Sequence, residues 1–226
     1  MTGKSANFSR RLDNARGICH NMPMKICLIH GSATPETEKA KAGLLARYPS
    51  AEVKEWRLPT DIPAFCTGCG ECVRKGETLC RDARYYMPVW KSMESADLIA
   101  FVYPELSRGA PASVVVLLDH LRWATVEHRP RPSMFRKLAV ILVAGNGRGA
   151  FSPVREMLTA FGMRGVICAT VGEGARPYVI PSAPPRAGFL YKRAYAAMLK
   201  RSAPARSALD VKWWEEHPEL ARPWAE

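Results

Sequence analysis

A chain of 226 residues has room for one substantial core and is short for two independent enzymatic domains. Its 47% hydrophobic and 24% charged residues exclude global disorder, and no apolar run reaches the length needed to span a bilayer. The formal charge of +12 favours anionic partners such as nucleotides, flavin phosphates or an acidic redox protein. The basic residues form no block of the kind that marks a nucleic-acid arm, so direct nucleic-acid binding is not expected.

Residues 1–23 are polar, basic and aperiodic, which predicts a flexible extension, with Met22 and Met24 as candidate native starts. They contain no apolar signal region, so the expected compartment is a reducing cytoplasm. There, seven cysteines argue for metal or redox use over a disulfide framework.

From Met24 the pattern alternates. Lys25–His30 predicts a buried parallel strand running into Gly31-Ser32. Thr34 and Pro35 predict an N-cap and first helical residue, opening a helix to about Arg47. A strand is expected near Glu52–Leu58, then a cysteine loop over 61–82, then a helix over Arg84–Ser95 with Met87, Trp90 and Met93 on one face. Asp97–Tyr103 predicts a third strand. Val114, Leu117, Leu118 and Leu121 mark the apolar side of a helix begun by Pro111. Leu138–Val143 is a fourth strand running into the turn Gly145–Gly149. A helix over Pro153–Phe161 and a strand over Gly165–Val171 complete five βα-type units. That alternation predicts a parallel sheet with right-handed crossovers and helices on both faces, over residues 24–175. Residues 176–226 read as a linker with Pro177, Pro181, Pro184 and Pro185, a helix from about Arg186 to Arg201, and an amphipathic piece at Val211–Glu216. Trp213, Trp214 and Trp224 are expected to dock on the body or on a second subunit.

The strongest chemical signal is Cys66-x2-Cys69-x2-Cys72-x7-Cys80. Two-residue spacers let a bent loop aim successive thiolates at one centre, and thiolates are the soft ligands of iron–sulfur clusters and zinc. Three cysteines at consecutive x2 spacing favour a [4Fe-4S] cluster, because structural zinc more often uses two separated knuckles. Zinc and an unmetallated loop remain as alternatives. Cys27 and Cys168 lie in strand-like runs and read as small core residues.

The order of features over Met24–Val171 resembles the iron–sulfur flavoproteins of the NADPH-dependent FMN reductase superfamily. The matching features are Gly31-Ser32 after the first strand, the four cysteines after the second, and Ala96-Asp97 opening a strand that ends at Pro104. Asp119-His120 on a helix, the glycine turn at Gly145–Gly149, and Gly162-Met163 before the last strand complete them. The resemblance implies a flavodoxin-like, doubly wound five-stranded parallel sheet in the order 2-1-3-4-5. It further implies FMN at the carboxyl ends of strands one, three and four. Ser32, Thr34 and Thr37 would bind the phosphate, Pro104, Glu105 and Leu106 would line the isoalloxazine, and Gly145, Asn146, Gly147 and Arg148 would approach its pyrimidine edge. Cys66, Cys69, Cys72 and Cys80 would hold the cluster, and NAD(P)H would be the electron donor. A homodimer or tetramer and a redox partner protein or small electron acceptor are implied as well.

This chain departs from the pattern on the flavin side. The phosphate loop has Glu36 and lacks the usual Arg, Pro104-Glu105-Leu106 replaces Pro-x-Tyr, and Val115 and His120 stand where relatives carry Lys and Arg. His30, Glu105 and His120 are candidate proton donors near the ligand, and a structural role for His30 is open beside that. The functional expectation is a flavin- and iron–sulfur-dependent NAD(P)H oxidoreductase or electron carrier. A flavin-free, metal-stabilised binding or assembly module is the alternative, and a zinc-stapled nucleic-acid binder a weaker third.

Overall fold

The computed structural model describes residues 23–135, 137–145, 149–163, 165–171, 177–180 and 207–218. Its strands are β1 (Lys25–His30), β2 (Glu52–Arg57), β3 (Leu98–Pro104), β4 (Leu138–Ala144), β5 (Gly165–Val171) and β6 (Pro177–Ile180). Its helices are α1 (Pro35–Leu45), α2 (Glu71–Arg74), α3 (Ala83–Ser95), α4 (Ala112–His120), α5 (Ser152–Ala160) and α6 (Ala208–Glu216). Five strands are parallel in the expected order 2-1-3-4-5.

Alternation along the central strands sends side chains to two separate cores, as a sheet covered on both faces requires. Ile26 and Leu28 of β1, with Leu98, Ala100 and Val102 of β3, pack with Ala40 and Leu44 of α1. Cys27, Ile29, Ile99, Phe101 and Tyr103 face the larger core of α3, α4 and α5. There Trp90 meets Trp123 and Phe161 edge-on, with ring centroids 5.2 and 5.4 Å apart. Val114, Leu117, Leu118 and Leu121 are all buried, as their spacing predicted. Cys27 and Cys168 are buried too, and burial pushes each thiol pKa up to about 11.

One part of the expected linker is a strand. Pro177–Ile180 pairs antiparallel with β5, Val166 opposite Ile180, and adds a sixth strand at the sheet edge. Pro177 is its first residue, a position where the missing N–H costs no ladder bond. The predicted helix over 186–201, Trp224 and the extension before residue 23 lie outside the described residues. Among the described residues no helix is long and apolar enough to cross a membrane.

Candidate functional site

β1 delivers its carboxyl end into a loop that only glycine can start. A Cβ on Gly31 would stand 2.5 Å from Val114 Cγ2 and 2.9 Å from Tyr103 Cβ. The loop is pinned by the Gly31 N–H on the Val102 carbonyl (2.9 Å) and by the Ser113 hydroxyl, which donates to the Gly31 carbonyl at 2.9 Å. Thr34 then caps α1 in a reciprocal capping box. Its hydroxyl accepts from the Thr37 N–H, and the Thr37 hydroxyl accepts from the Thr34 N–H at 2.8 Å.

The three hydroxyls expected at a phosphate therefore differ. Thr37 is fully buried, and its hydroxyl also lies 3.0 Å from the carbonyls of Ser32 and Thr34 and 3.1 Å from His30 Nε2. It is enclosed by its own loop and shapes it. Thr34 is committed to the cap. Ser32 is half-buried, and its hydroxyl makes no hydrogen bond among the described residues. The Glu36 carboxylate accepts from its own backbone N–H and from the Thr34 hydroxyl, which holds its pKa below the usual carboxylate value. That is where the first turn of a helix would otherwise meet an anion.

His30 ends β1 almost wholly buried, with Nδ1 3.4 Å from one Glu55 oxygen and 3.6 Å from a Glu38 oxygen. Lys41 bridges both carboxylates, and Arg57 reaches Glu55 at 3.0 Å. Burial works to raise the pKa of Glu55, but Lys41 and Arg57 prevail and lower it. His30 is thus tied into a charged network behind the loop.

The loops after β3 and β4 are stitched to each other. The Glu105 N–H donates to the Ala144 carbonyl at 2.9 Å, and the Glu105 side chain lies over Gly145, where an added Cβ would meet its Cβ at 2.7 Å. Leu106 and Gly109 close a tight turn whose central residues, Ser107 and Arg108, both have positive φ. The Arg108 carbonyl comes within 2.3 Å of the position a Cβ would take on Gly149. Pro104 is buried at the end of β3, and Leu106 is 51% exposed at the rim. Asn146, Gly147 and Arg148 lie outside the described residues.

The four cysteines all lie in the segment between β2 and α3. The thiols of Cys66, Cys69 and Cys80 all lie near that of Cys72, whose pKa is raised first by burial and then by these neighbours. The loop's backbone is held from a distance. Arg129 donates to the carbonyls of Cys72 (2.6 Å) and Val73 (3.0 Å), and Ser207 to that of Val73 (2.8 Å). Tyr86 donates to the Glu77 carbonyl at 2.7 Å, and Arg131 grips the Glu77 carboxylate at 2.7 Å. Arg129 also pairs with Asp210 of α6, which is fully buried and accepts from His128 Nδ1 at 2.9 Å. Through this clamp α6 docks on the cysteine loop, burying Trp213.

His120, at the end of α4, sits against this loop, its ring nitrogen on the Ala64 carbonyl. Its ring stacks on Tyr86 at 5.0 Å, and a ring nitrogen, the Cys80 sulfur and an Asp82 carboxylate oxygen lie within 4.8 Å of one another. Among the described residues this is the one group of three candidate metal ligands so close together, so no three of the four cysteine sulfurs are. The sequence places His120 near the flavin and gives no sign of the Arg129–Asp210 clamp, because 40 and more residues separate these side chains from the cysteine loop they touch.

A family model described as NADPH-dependent FMN reductase matches residues 24–176, a span holding the sheet through β5, both flavin-side turns and all four loop cysteines. Comparison with curated proteins gives no match. Among solved structures, the azoreductase of Bacillus anthracis str. Sterne superposes with a TM-score of 0.52 at 18% identity, over 65% of this chain and 86% of that one. Azoreductase AzrA does so at 0.50 and 18% over the same shares. An FMN-dependent NADH-azoreductase from Bacillus anthracis str. Ames Ancestor, solved in complex with FMN, gives 0.50 and 11%, again over 65% and 86%. At such identities these superpositions speak for the fold, and the family rests on the model match over well more than half the chain: the protein belongs to the NADPH-dependent FMN reductase family.

Proposed function

We propose that this protein is a flavin-dependent NAD(P)H oxidoreductase that also carries an iron–sulfur cluster on Cys66, Cys69, Cys72 and Cys80. The observation that carries the flavin half is the family match across a sheet whose β1, β3 and β4 loops gather at the carboxyl ends of their strands, where doubly wound sheets take ligands. The backbone of the Gly31 loop fits a phosphate. Gly31 allows close approach, the N–H groups of Ser32 and Ala33 make no backbone hydrogen bond among the described residues, and the Ser32 hydroxyl is uncommitted. Ser32 is the residue we assign to the phosphate, with Thr34 and Thr37 holding the loop's shape. Pro104–Leu106 and the turn from Gly145 would flank the ring.

For the cysteine loop, a single zinc would hold four thiolates at about 2.3 Å, bringing the sulfurs within about 4 Å of one another. Three cysteines at consecutive two-residue spacing support a multi-iron cluster over such a site. When bound, FMN would take hydride from NAD(P)H and release electrons singly, and the cluster would relay them. The chain's own part is to hold the phosphate at Ser32, fix the ring between two stitched loops and clamp the cysteine loop through Arg129. A homodimer or larger assembly fits the exposed Phe65 and Leu79, which flank the cysteines at 70% and 64% exposure and give a partner an apolar surface.

The alternative, a flavin-free assembly module, is favoured by one observation: the Glu36 carboxylate already sits at the start of α1. Anaerobic titration with FMN followed by NADPH or NADH separates the two. The proposal predicts stoichiometric FMN binding and bleaching of the flavin band on adding the nicotinamide. Absence of FMN binding would leave the assembly module standing.

A further inference from the structure

We propose that His30 is a proton-linked positioning residue for the phosphate loop: it takes up a proton on Nε2 when a phosphate monoester dianion binds at Ser32, and the imidazolium then holds the loop through Thr37. This deepens the reading that the Gly31 loop takes the FMN phosphate, and rests on it.

The hydrogen bonds around the ring assign its two nitrogens. Nδ1 lies 3.4 Å from a Glu55 oxygen and 3.6 Å from a Glu38 oxygen, and carboxylates only accept, so Nδ1 carries the proton of the neutral ring. Nε2 is then the nitrogen that gains or loses one, and it lies 3.1 Å from the Thr37 hydroxyl. That hydroxyl already accepts from the Thr34 N–H at 2.8 Å and has a single proton to give. The carbonyls of Ser32 and Thr34, each at 3.0 Å, compete for it with Nε2. The Thr34 carbonyl also receives the Glu38 N–H at 2.9 Å, whereas the Ser32 carbonyl has no other donor among the described residues. With His30 neutral, Nε2 takes the Thr37 proton and the Ser32 carbonyl goes without. With His30 protonated, Nε2 donates to Thr37, the Thr37 hydroxyl turns to Ser32, and every group is paired.

Charge points the same way. The segment Gly31–Thr37 has one charged side chain, Glu36, and its sign is wrong for a phosphate. His30 is 2% exposed. The charged groups around it are Glu55 and Arg57 of β2 and Glu38 and Lys41 of α1, two of each sign, while Val102 of β3 stands opposite it in register. The proton on His30 therefore decides the net sign of this cluster, and a phosphate dianion at Ser32, two residues along the chain, favours the positive form.

The test is binding affinity by calorimetry from about pH 7 to about pH 9, where the FMN phosphate is already a dianion, with riboflavin as the probe that lacks it. We expect FMN affinity to fall as pH rises, by up to about tenfold per pH unit for one proton taken up. Riboflavin affinity should stay level, and the fall should vanish in His30→Gln. Glu55→Gln removes a partner of Nδ1 from a partly exposed position. It should move the fall to lower pH, and it keeps the test decisive if His30→Gln folds poorly. FMN affinity level with pH, an equal fall in His30→Gln or with riboflavin, or a fall that Glu55→Gln leaves in place would overturn the inference while the flavin reading stands. Absence of FMN binding at every pH would overturn both.

Discussion

The loop after β1 and the loop after β2 leave neighbouring parallel strands at their carboxyl ends, yet they lean on the rest of the chain to different degrees. The Gly31–Thr37 loop is closed largely by its own residues, with Thr34 and Thr37 capping each other and Thr37 returning to the Ser32 carbonyl. The cysteine loop has turns of its own, with Arg74 on the Cys69 carbonyl, and is held besides by several side chains far along the chain: His120 on Ala64, Arg129 on Cys72 and Val73, and Ser207 on Val73. Val102 and Ser113 pin only its start at Gly31, so the residues further along can vary without loss of that anchor, and this is where Glu36 stands. A loop supported from 56 to 134 residues away is bound to the whole fold.

Removing the remote support tests this contrast most severely. Asp210→Ala strips the buried Arg129 of the nearer of its two carboxylates, leaving Glu77 at 3.5 Å, so the cost should approach but not exceed the roughly 3–5 kcal/mol of a fully broken buried pair. Denaturant melts should show that loss, and amide exchange should quicken around Cys72 and Val73. Unchanged exchange there would mean the cysteine loop stands alone. The same pair gives an acid limb. Burial tends to raise the Asp210 pKa, but the His128 hydrogen bond and the Arg129 charge lower it overall. Its contribution is therefore complete above the ordinary aspartate value of about 3.9 and is lost as pH falls through the lowered folded value. Asp210→Asn should flatten that part of the stability–pH curve.

Gly31→Ala comes next. Its methyl meets Val114 and Tyr103, and overpacking of this kind costs about 1–3 kcal/mol; FMN affinity should fall as the loop is pushed off β1. Thr34→Ala removes the cap for about 1 kcal/mol, and its damage should stay within α1, leaving cysteine-loop exchange at the wild-type rate. The smallest change is Glu36→Gln. With the carboxylate gone from the first turn, FMN should bind roughly two- to fivefold more tightly by calorimetry. Weaker binding would show that Glu36 assists the ligand.

What the residue pattern could reveal follows the same division. β1, β3 and β4 announce themselves as apolar runs, Thr34-Pro35 marks the start of α1, and the i, i+3, i+4 spacing from Val114 marks α4, because all of these depend on neighbours in sequence. β6 was hidden, since Pro177 at its head and further prolines beyond make a four-residue edge strand look like linker. The four cysteines were visible by spacing. Their supports were not: Arg129 and Asp210 look like ordinary surface charges until the chain folds, His120 reads as a proton donor near the ligand, and Thr37 looks like a phosphate ligand until its hydroxyl is seen buried under His30.

The central claim is that two separately held redox groups share this fold, and the composition of the anaerobically purified protein tests it most directly. FMN, iron and acid-labile sulfide should be measured in wild type and in Cys69→Ala. The account predicts flavin with matching iron and sulfide in the wild type, and flavin alone in the variant. Iron that survives Cys69→Ala unchanged, or flavin-loaded wild type with neither iron nor sulfide, would contradict it.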